Sequence, residues 1–201
     1  MRASEYQALA QRVRRALHFH CKHVDVALRF DGEPITEAFD LPQALIQVRE
    51  TTDLAEIVIG IMPSDVPAIA GFYNRGLTLL ESASEVAGIA FKIQSSYLEH
   101  TLSRDNIVQD ENYARIVAKR EELLRGPLMK ALMEKLNALL SSGADSDQLL
   151  PYQSALATLV RKGCGTPDGA EGCVVARSVQ GGLVTLRALS AVATVGRLVY
   201  A

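Results

Sequence analysis

Three of the four histidines lie within six residues and beside a cysteine, as His18, His20, Cys21 and His23. Imidazole and thiolate side chains are ligands that zinc and copper prefer, so this cluster is the first candidate for metal chemistry. Its spacing argues against a site, because on a helix His18 pairs with Cys21 and His20 with His23, and the two pairs point about 200° apart. In a strand the four side chains would also be divided, with two on each face. We therefore predict ordinary histidines at a helix C-terminus, where a positive imidazole is favourable, and no metal.

Catalytic motifs are missing from the rest of the sequence. Residues 71–78 resemble a phosphate loop in glycine spacing, yet Leu77 stands where that loop needs its lysine. There is no glycine fingerprint for dinucleotides, no His-Glu-x-x-His and no Gly-x-Ser-x-Gly. Glu81, Glu85, Glu99 and His100 suggest a carboxylate-bridged metal bundle, but they lack the Glu-x-x-His spacing that such bundles use. We predict no catalytic residue and no cofactor, which favours a protein that is not an enzyme.

The other two cysteines, Cys164 and Cys173, bracket a glycine-rich stretch. Three cysteines in 201 residues are too few for a disulfide framework, and this spacing is not that of a zinc knuckle. The first residues lack the apolar segment of a signal peptide, and no run of about 18 uncharged apolar residues predicts a membrane span. We therefore expect free thiols rather than a disulfide, a cytoplasmic location and no membrane span.

The balance of charges disfavours nucleic acid as a partner. The chain has 21 Lys and Arg against 23 Asp and Glu, a net charge of −2, and it has no tryptophan. Arg12 and Arg15 share a face of a basic N-terminal segment and can contact a few phosphates, but no aromatic side chains interleave with them. We expect any binding of nucleic acid to be weak and strongly dependent on salt.

Hydrophobic spacing divides the first part of the chain into a helix and a hairpin. Leu9, Val13 and Leu17 recur at helical spacing, which predicts a helix over residues 5–20. Apolar and polar residues then alternate over residues 24–30, and Asp31-Gly32 follows as a turn. The sequence therefore predicts a strand and a small β-hairpin after the first helix.

A long second helix is predicted from Ser64 or Asp65 to about residue 102. Its apolar residues recur at alternating steps of four and three, and every second one is small, in a seam formed by Phe72, Gly76, Leu79, Ala83, Val86, Ala90 and Ile93. Small residues in such a seam let a partner helix approach closely. Asp110 predicts the start of that partner, and Gly126-Pro127 predicts its break or kink. Together these signals predict an antiparallel helical hairpin.

The last thirty residues allow two interpretations. Gly181-Gly182 fits a turn between two Val-rich strands, but Arg187, Ser190 and Thr194 begin a narrow polar stripe at helical steps. Helical periodicity is the stronger signal and predicts a helix over residues 183–200 that is apolar around most of its circumference. Such a helix is either central to the fold or an interface, with candidate contact residues Leu183, Leu186, Val192, Val195 and Leu198.

These signals together predict a mainly α protein, a helical bundle built on the long antiparallel hairpin, with a small β-hairpin near the N-terminus. We expect one helical domain over residues 1–201, in which residues 1–62 form a subregion that carries the β-hairpin. The function predicted first is a non-enzymatic assembly or adaptor subunit, whose partners are other protein subunits or further copies of itself as an oligomer. A small-molecule- or metal-responsive helical regulator is the alternative, and an enzyme of unrecognised type is the third.

Overall fold

A five-stranded sheet with helices packed on one face forms the main part of the fold. The structure, a computed structural model, describes residues 3–86, 88–161, 170–178 and 180–194. Its α-helices are α1 (Ala3–Cys21), α2 (Glu111–Leu123), α3 (Met129–Ser141), α4 (Ser146–Arg161) and α5 (Leu186–Thr194). Its strands are β1 (Arg29–Phe30), β2 (Glu33–Pro34), β3 (Ile46–Thr51), β4 (Glu56–Ile61), β5 (Ile69–Asn74), β6 (Leu77–Ala83), β7 (Ile89–Gln94), β8 (Val174–Arg177) and β9 (Leu183–Thr185).

The strands of the main sheet follow the order β3-β4-β7-β5-β6. Neighbouring strands are antiparallel except β5 and β7, which run parallel. Two small hairpins stand apart from this sheet, one formed by β1 and β2 and the other by β8 and β9. β7 therefore joins the β3–β4 pair to the β5–β6 hairpin and occupies the middle of the sheet.

Local sequence accounts for the central strands and for the hairpin beside them. β4 and β7 are rich in isoleucine and almost wholly buried, as expected for β-branched residues in strands with neighbours on both sides. Between β5 and β6, Arg75 and Gly76 have φ values of 48° and 77°. Two positive φ values in succession give a turn whose twist matches that of the flanking strands, so this hairpin closes in two residues.

The two faces of the sheet carry different cores. Alternate residues of its central strands, such as Ile59 and Phe72, pack with α2, α3 and α4 in the main hydrophobic core. On the opposite face, Val58 and Ala90 pack with Leu41 in a smaller cluster. The second face is therefore covered by the segments that flank β3 and β4 and, at β6, by the end of α1, rather than by a layer of several helices.

The predicted helical bundle is wrong, because the segment expected to form its long helix folds into sheet. Among the residues that the structure describes, 41% are helical and 25% lie in strands. The seam residues lie on three strands and the turns between them, with Phe72 on β5, Gly76 in the following turn, Leu79 and Ala83 on β6, Val86 before β7, and Ala90 and Ile93 on β7. Strands that are buried on both faces are nearly continuous apolar runs. Apolar residues spaced by three and four occur in such runs as readily as apolar residues spaced by two. The spacing of the seam therefore does not distinguish a helix from buried strands.

Signals at helix ends predicted several helices correctly. α1 covers the helix expected over residues 5–20. Asp110 caps α2, since its Oδ1 accepts a hydrogen bond of 2.8 Å from the backbone N–H of Tyr113. Gly126-Pro127 was expected to break or kink the next helix, and these residues lie in a π-helical turn that connects α2 to α3.

The predicted strand over residues 24–30 is much shorter than expected. Only Arg29–Phe30 is a strand, paired with Glu33–Pro34, and residues 24–28 are irregular. The turn at Asp31-Gly32 is confirmed, with positive φ at both residues. The small N-terminal hairpin is therefore correct in position and wrong in length.

The C-terminal helix begins three residues later than predicted. Leu183 belongs to β9, which pairs with β8 across a turn that contains Gly181 at φ 83°. The first part of this region is therefore the β-hairpin, which was the weaker of the two interpretations of the sequence. Leu186 begins α5 and packs against the main core. Val195, Leu198 and the side chain of Val192 lie outside the described residues. Among the helices that the structure describes, none has the length and apolarity needed to cross a membrane.

Candidate functional site

α1 packs loosely on the rest of the protein. It is 19 residues long, and none of its described side chains, those of residues 4–21, is fully buried. A half-buried stripe of Ala10, Val13, Leu17 and Cys21 runs along it at helical spacing. The helix is therefore amphipathic, but the rest of the protein covers its apolar stripe only in part.

Exposed polar contacts join α1 to the N-terminal hairpin and the segment after it. Tyr6 Oη donates to Asp31 Oδ2 at 3.5 Å, Arg14 lies 3.9 Å from Glu33, and His18 Nε2 lies 2.7 Å from Glu37 Oε1. Exposed ion pairs stabilise a fold by about 0 to 1 kcal/mol each. These contacts orient α1 without holding it firmly.

A strip of apolar and basic groups winds around α1. Tyr6, Leu9, Arg12 and Arg15 follow one another at steps of three, each about 60° round the helix from the one before. The strip therefore passes from the hairpin side, where Tyr6 contacts Asp31, to the opposite side at Arg15. Tyr6 and Leu9 are each 49% exposed. Neither arginine forms an ion pair with a described residue, although Arg14, between them, pairs with Glu33. We call these four residues the α1 surface.

The C-terminal end of α1 is attached to the sheet much more firmly. Thr78 Oγ1 on β6 donates a 2.5 Å hydrogen bond to the carbonyl of Phe19. Lys22 Nζ lies 2.5 Å from Glu81 Oε1, and both side chains are largely buried. The name junction is used below for the buried polar cluster between α1 and the second face of the sheet, which consists of Lys22, His23, Tyr73, Glu81 and Lys92.

The register of the sheet explains how the junction is assembled. Gly71 on β5 is paired with Glu81 on one side and with Lys92 on the other. Because Gly71 has no side chain, the ring of Tyr73 lies over it, and a Cβ at this position would be 2.5 Å from the Tyr73 hydroxyl oxygen. Tyr73 thereby reaches Glu81 and donates a short hydrogen bond to its Oε1. Glu81 therefore accepts from a phenol and an ammonium at once.

His23 is an uncharged histidine inside the junction. It is 5% exposed, and its ring makes edge-to-face contacts with Phe39 and Tyr73. Nδ1 lies 3.3 Å from the carbonyl of Glu37 and must donate to it, while Nε2 is buried without a partner among the described residues. Burial, followed by the positive charge of Lys92, lowers the pKa of His23 from 6.5 to about 4.

Lys92 is the least compensated charge in the junction. Its residue is 6% exposed, and no described carboxylate lies within 4.0 Å of its ammonium. Burial and the nearby charge of Lys22 lower the pKa of Lys92, and the more distant carboxylates of Glu81 and Glu37 oppose them only in part. The junction therefore packs two lysines and one neutral histidine around a single well-engaged carboxylate.

A pH dependence of stability is expected from His23. The unfolded chain protonates this histidine near its ordinary pKa of 6.5, whereas the folded protein does so near 4. Stability from the neutral ring is therefore fully present above pH 6.5 and is lost as the pH falls towards 4. Urea unfolding between pH 7.5 and 5 should show about 2 kcal/mol of this loss.

Two substitutions isolate that contribution from the titration of carboxylates. His23→Phe keeps an aromatic ring at the site and should flatten the pH profile by the same about 2 kcal/mol, whatever its effect on stability at pH 7.5. His20→Phe, at an exposed ring on α1, should leave the profile unchanged. Parallel profiles for the unaltered protein and His23→Phe would refute a neutral, buried His23.

The histidine and cysteine cluster predicted from sequence does not converge. His18 lies against Glu37, His20 packs edge-to-face on Phe19, and Cys21 ends α1 half-buried while His23 turns into the junction. Within the described ranges, no group of three or more His, Cys, Asp or Glu side chains is arranged to hold a metal ion. Cys173 is a free thiol, and Cys164 lies outside the residues that the structure describes.

Sequence reasoning missed the junction because its members are far apart in the chain. Lys22 and Glu81 are separated by most of the sheet, and Tyr73 and Lys92 are brought together only by the parallel pairing of β5 with β7. One signal was present: Lys92 interrupts the apolar run Ile89–Gln94, where a charge is not expected unless it has a role.

Comparison with known proteins adds no family to this geometry. No protein-family model matches the chain, and no curated protein is significantly similar to it. The physical properties of α1 and of its attachment to the sheet are therefore the basis for assigning a function.

Proposed function

We propose that this chain is a non-enzymatic adaptor or assembly subunit that binds another protein through the α1 surface. The observation that carries the proposal is the packing of α1, a 19-residue helix in which no described side chain is fully buried. Helices in proteins owe most of their stability to tertiary packing of an apolar face. α1 is held firmly only at its C-terminal end and contacts the hairpin with one side, which leaves its other side available to a partner.

Apolar area on α1 supports a contact of useful strength. Tyr6 and Leu9 each expose about half of their surface. Burying the whole of such a side chain contributes about 1.5 to 3 kcal/mol, so covering the exposed halves of these two contributes roughly half of that each. A partner would also cover the open edge of the half-buried stripe. The ordering of α1 by its hairpin contacts and by the junction lowers the entropy that binding has to overcome.

Charge indicates the kind of partner. Arg12 lies beside Leu9, Arg15 follows one step further round the helix, and neither has a carboxylate from the described part of the chain. A protein surface with an apolar groove bordered by Asp or Glu would complement them and would be steered towards them. A second copy of the same chain is disfavoured at this surface, because a symmetric contact would bring the arginines of both copies together.

The C-terminal segment contributes less to this proposal than the sequence suggested. Leu183 is 51% exposed and remains a predicted contact residue. Leu186 packs against the main core, so it is only partly available to a partner. The contacts predicted for Val192, Val195 and Leu198 remain predictions about residues that the structure does not describe.

Charge reversal tests the proposal in the cells that make the protein. In a native extract the chain should elute from a sizing column well above its own 21.8 kDa, while the purified chain should scatter light as a monomer. Arg12→Glu combined with Arg15→Glu should return the chain in the extract to monomer size. Arg115→Glu combined with Arg125→Glu changes the net charge equally at exposed arginines on α2 and the π-helical turn, and should leave elution unchanged.

Three results would count against the proposal. Monomer-sized elution in the extract would show that no stable partner exists. Equal loss in the two double variants would show a non-specific effect of charge. A purified chain that is already oligomeric, and stays so after charge reversal, would place self-association at another surface.

A further inference from the structure

A basic pocket opens beside the junction, at a surface that the proposed function does not use. It has a volume of about 490 Å³ and lies between the end of α1, the β5–β6 turn and the loop that follows β7. His20, Arg75, His100 and Arg104 contribute its basic groups, and Leu77 and Leu79 contribute apolar surface. A volume of this size is within the range of small-ligand pockets.

The charges of the pocket are not compensated by the protein. Neither Arg75 nor Arg104 forms an ion pair with any described residue, and none of the described residues lining the pocket is an Asp or Glu. Asp105 follows Arg104 in sequence but does not line the pocket, and its carboxylate accepts hydrogen bonds from Ser103 and Thr101. The carbonyl end of α1 contributes only about half a negative charge, which two guanidinium groups outweigh. The pocket is therefore complementary to an anion.

Both arginines occupy backbone positions that do not favour them. Arg75 has φ 48° and Arg104 has φ 58°, in the left-handed region where glycine and asparagine are the usual residues. The turn at Arg75-Gly76 is of the kind in which Asn-Gly is preferred, so turn geometry does not explain an arginine there. Two strained arginines at one pocket are better explained by what their side chains bind.

His100 contributes a half-exposed imidazole to the same pocket. Its Nδ1 is buried out of contact with solvent and has no hydrogen-bond partner among the described residues, so this atom faces the protein and not the open pocket. The imidazole therefore lines the pocket with the remainder of its ring.

We infer that this pocket binds the phosphate group of a small phosphate monoester. A phosphate dianion matches two guanidinium groups and two imidazoles better than a single carboxylate does, and arginine forks bind its oxygens in pairs. The phosphate lies between Arg75 and Arg104, near His20 and His100. Leu77 and Leu79 provide an apolar surface for the organic part of the ester.

Titration calorimetry of the full chain with inorganic phosphate tests this inference. At low salt, inorganic phosphate should bind saturably, about tenfold or more tightly than acetate, because the dianion engages both arginines. Glycerol 3-phosphate should bind at least as tightly as inorganic phosphate. Exclusion of the ester, or equal affinity for acetate, would overturn the assignment to a phosphate monoester.

Glycine substitutions separate binding from folding. Arg75→Gly and Arg104→Gly relieve positive φ, so each variant should fold with an unchanged or higher melting temperature. Each should weaken phosphate binding about tenfold, and the two together should abolish it. Arg115→Gln, at an exposed arginine of α2, should bind as the unaltered protein does. Undiminished binding in the double glycine variant would refute the site.

Discussion

Glu81→Ala should lower the free energy of unfolding by about 3 to 5 kcal/mol, the range measured when one partner of a buried ion pair is removed. Lys22 would be left with a buried ammonium, and the Tyr73 hydroxyl would lose its acceptor. Urea unfolding at pH 7 measures the difference. Because Lys22 directly follows α1, we also expect the helix to lose its attachment to the sheet, which faster amide hydrogen exchange in the last turns of α1 would report.

Two further variants show whether the loss comes from the buried charge. Glu134→Ala removes the exposed partner of Lys130, 4.0 Å away on α3, and should change stability by less than about 1 kcal/mol. Lys22→Met combined with Glu81→Gln removes both charges and keeps an acceptor for Tyr73, so it should recover most of the loss. If Glu81→Ala were as mild as Glu134→Ala, the junction would not be the attachment we describe.

Gly76→Ala should be about as damaging, at roughly 3 kcal/mol, because it combines backbone strain with an unavoidable overlap. Gly76 has φ 77°, and a Cβ there would lie 2.2 Å from the carbonyl oxygen of His23 and 2.4 Å from Val24 Cα. Both atoms belong to the backbone that follows α1, so relief requires this segment to move off the sheet. Thermal unfolding followed by circular dichroism would measure the loss.

Gly88→Ala is the matched control for that substitution. Gly88 has φ 76°, almost the same conformation, but a Cβ there meets nothing within 4 Å. The control should therefore cost about 1 kcal/mol, from backbone strain alone. Equal losses at the two glycines would show that the close approach of the β5–β6 turn to His23 does not exist in solution.

Sequence alone predicted the helices whose signals are local. The cap of α2 depends on Asp110 and on a backbone group three residues later, and α1 repeats its apolar residues over several turns. Such signals need no knowledge of the rest of the chain. The same applies to Asp31-Gly32, where the turn type follows from two residues.

The sheet was not predicted because its central strands carry little alternation. β4 and β7 are buried on both faces, and that removes the polar side of the period-two pattern. Gly76 was assigned to a close-packed helix seam, whereas in the structure it forms part of a turn that requires a positive φ. The parallel pairing of β5 with β7 depends on contacts between distant segments, which no local window contains.

The α1 surface was partly predictable from the sequence, whereas the junction was not. Arg12 and Arg15 were recognised as sharing a basic face, and the structure shows in addition that Leu9, next to Arg12, and Tyr6 stay exposed. Whether a helix face is covered depends on what packs against it. That information comes from tertiary structure, which is why the apolar C-terminal segment was the stronger candidate from sequence.

Photocrosslinking from α1, in the cells that produce the chain, tests most directly the claim that α1 binds an acidic protein partner. A benzophenone side chain at position 9 should form a discrete adduct with one acidic protein, and Arg12→Glu with Arg15→Glu should remove that adduct. The same group at position 150, an exposed leucine of α4, should not form it. An adduct with lipid, an adduct shared by both positions, or no protein adduct at position 9 would contradict the claim.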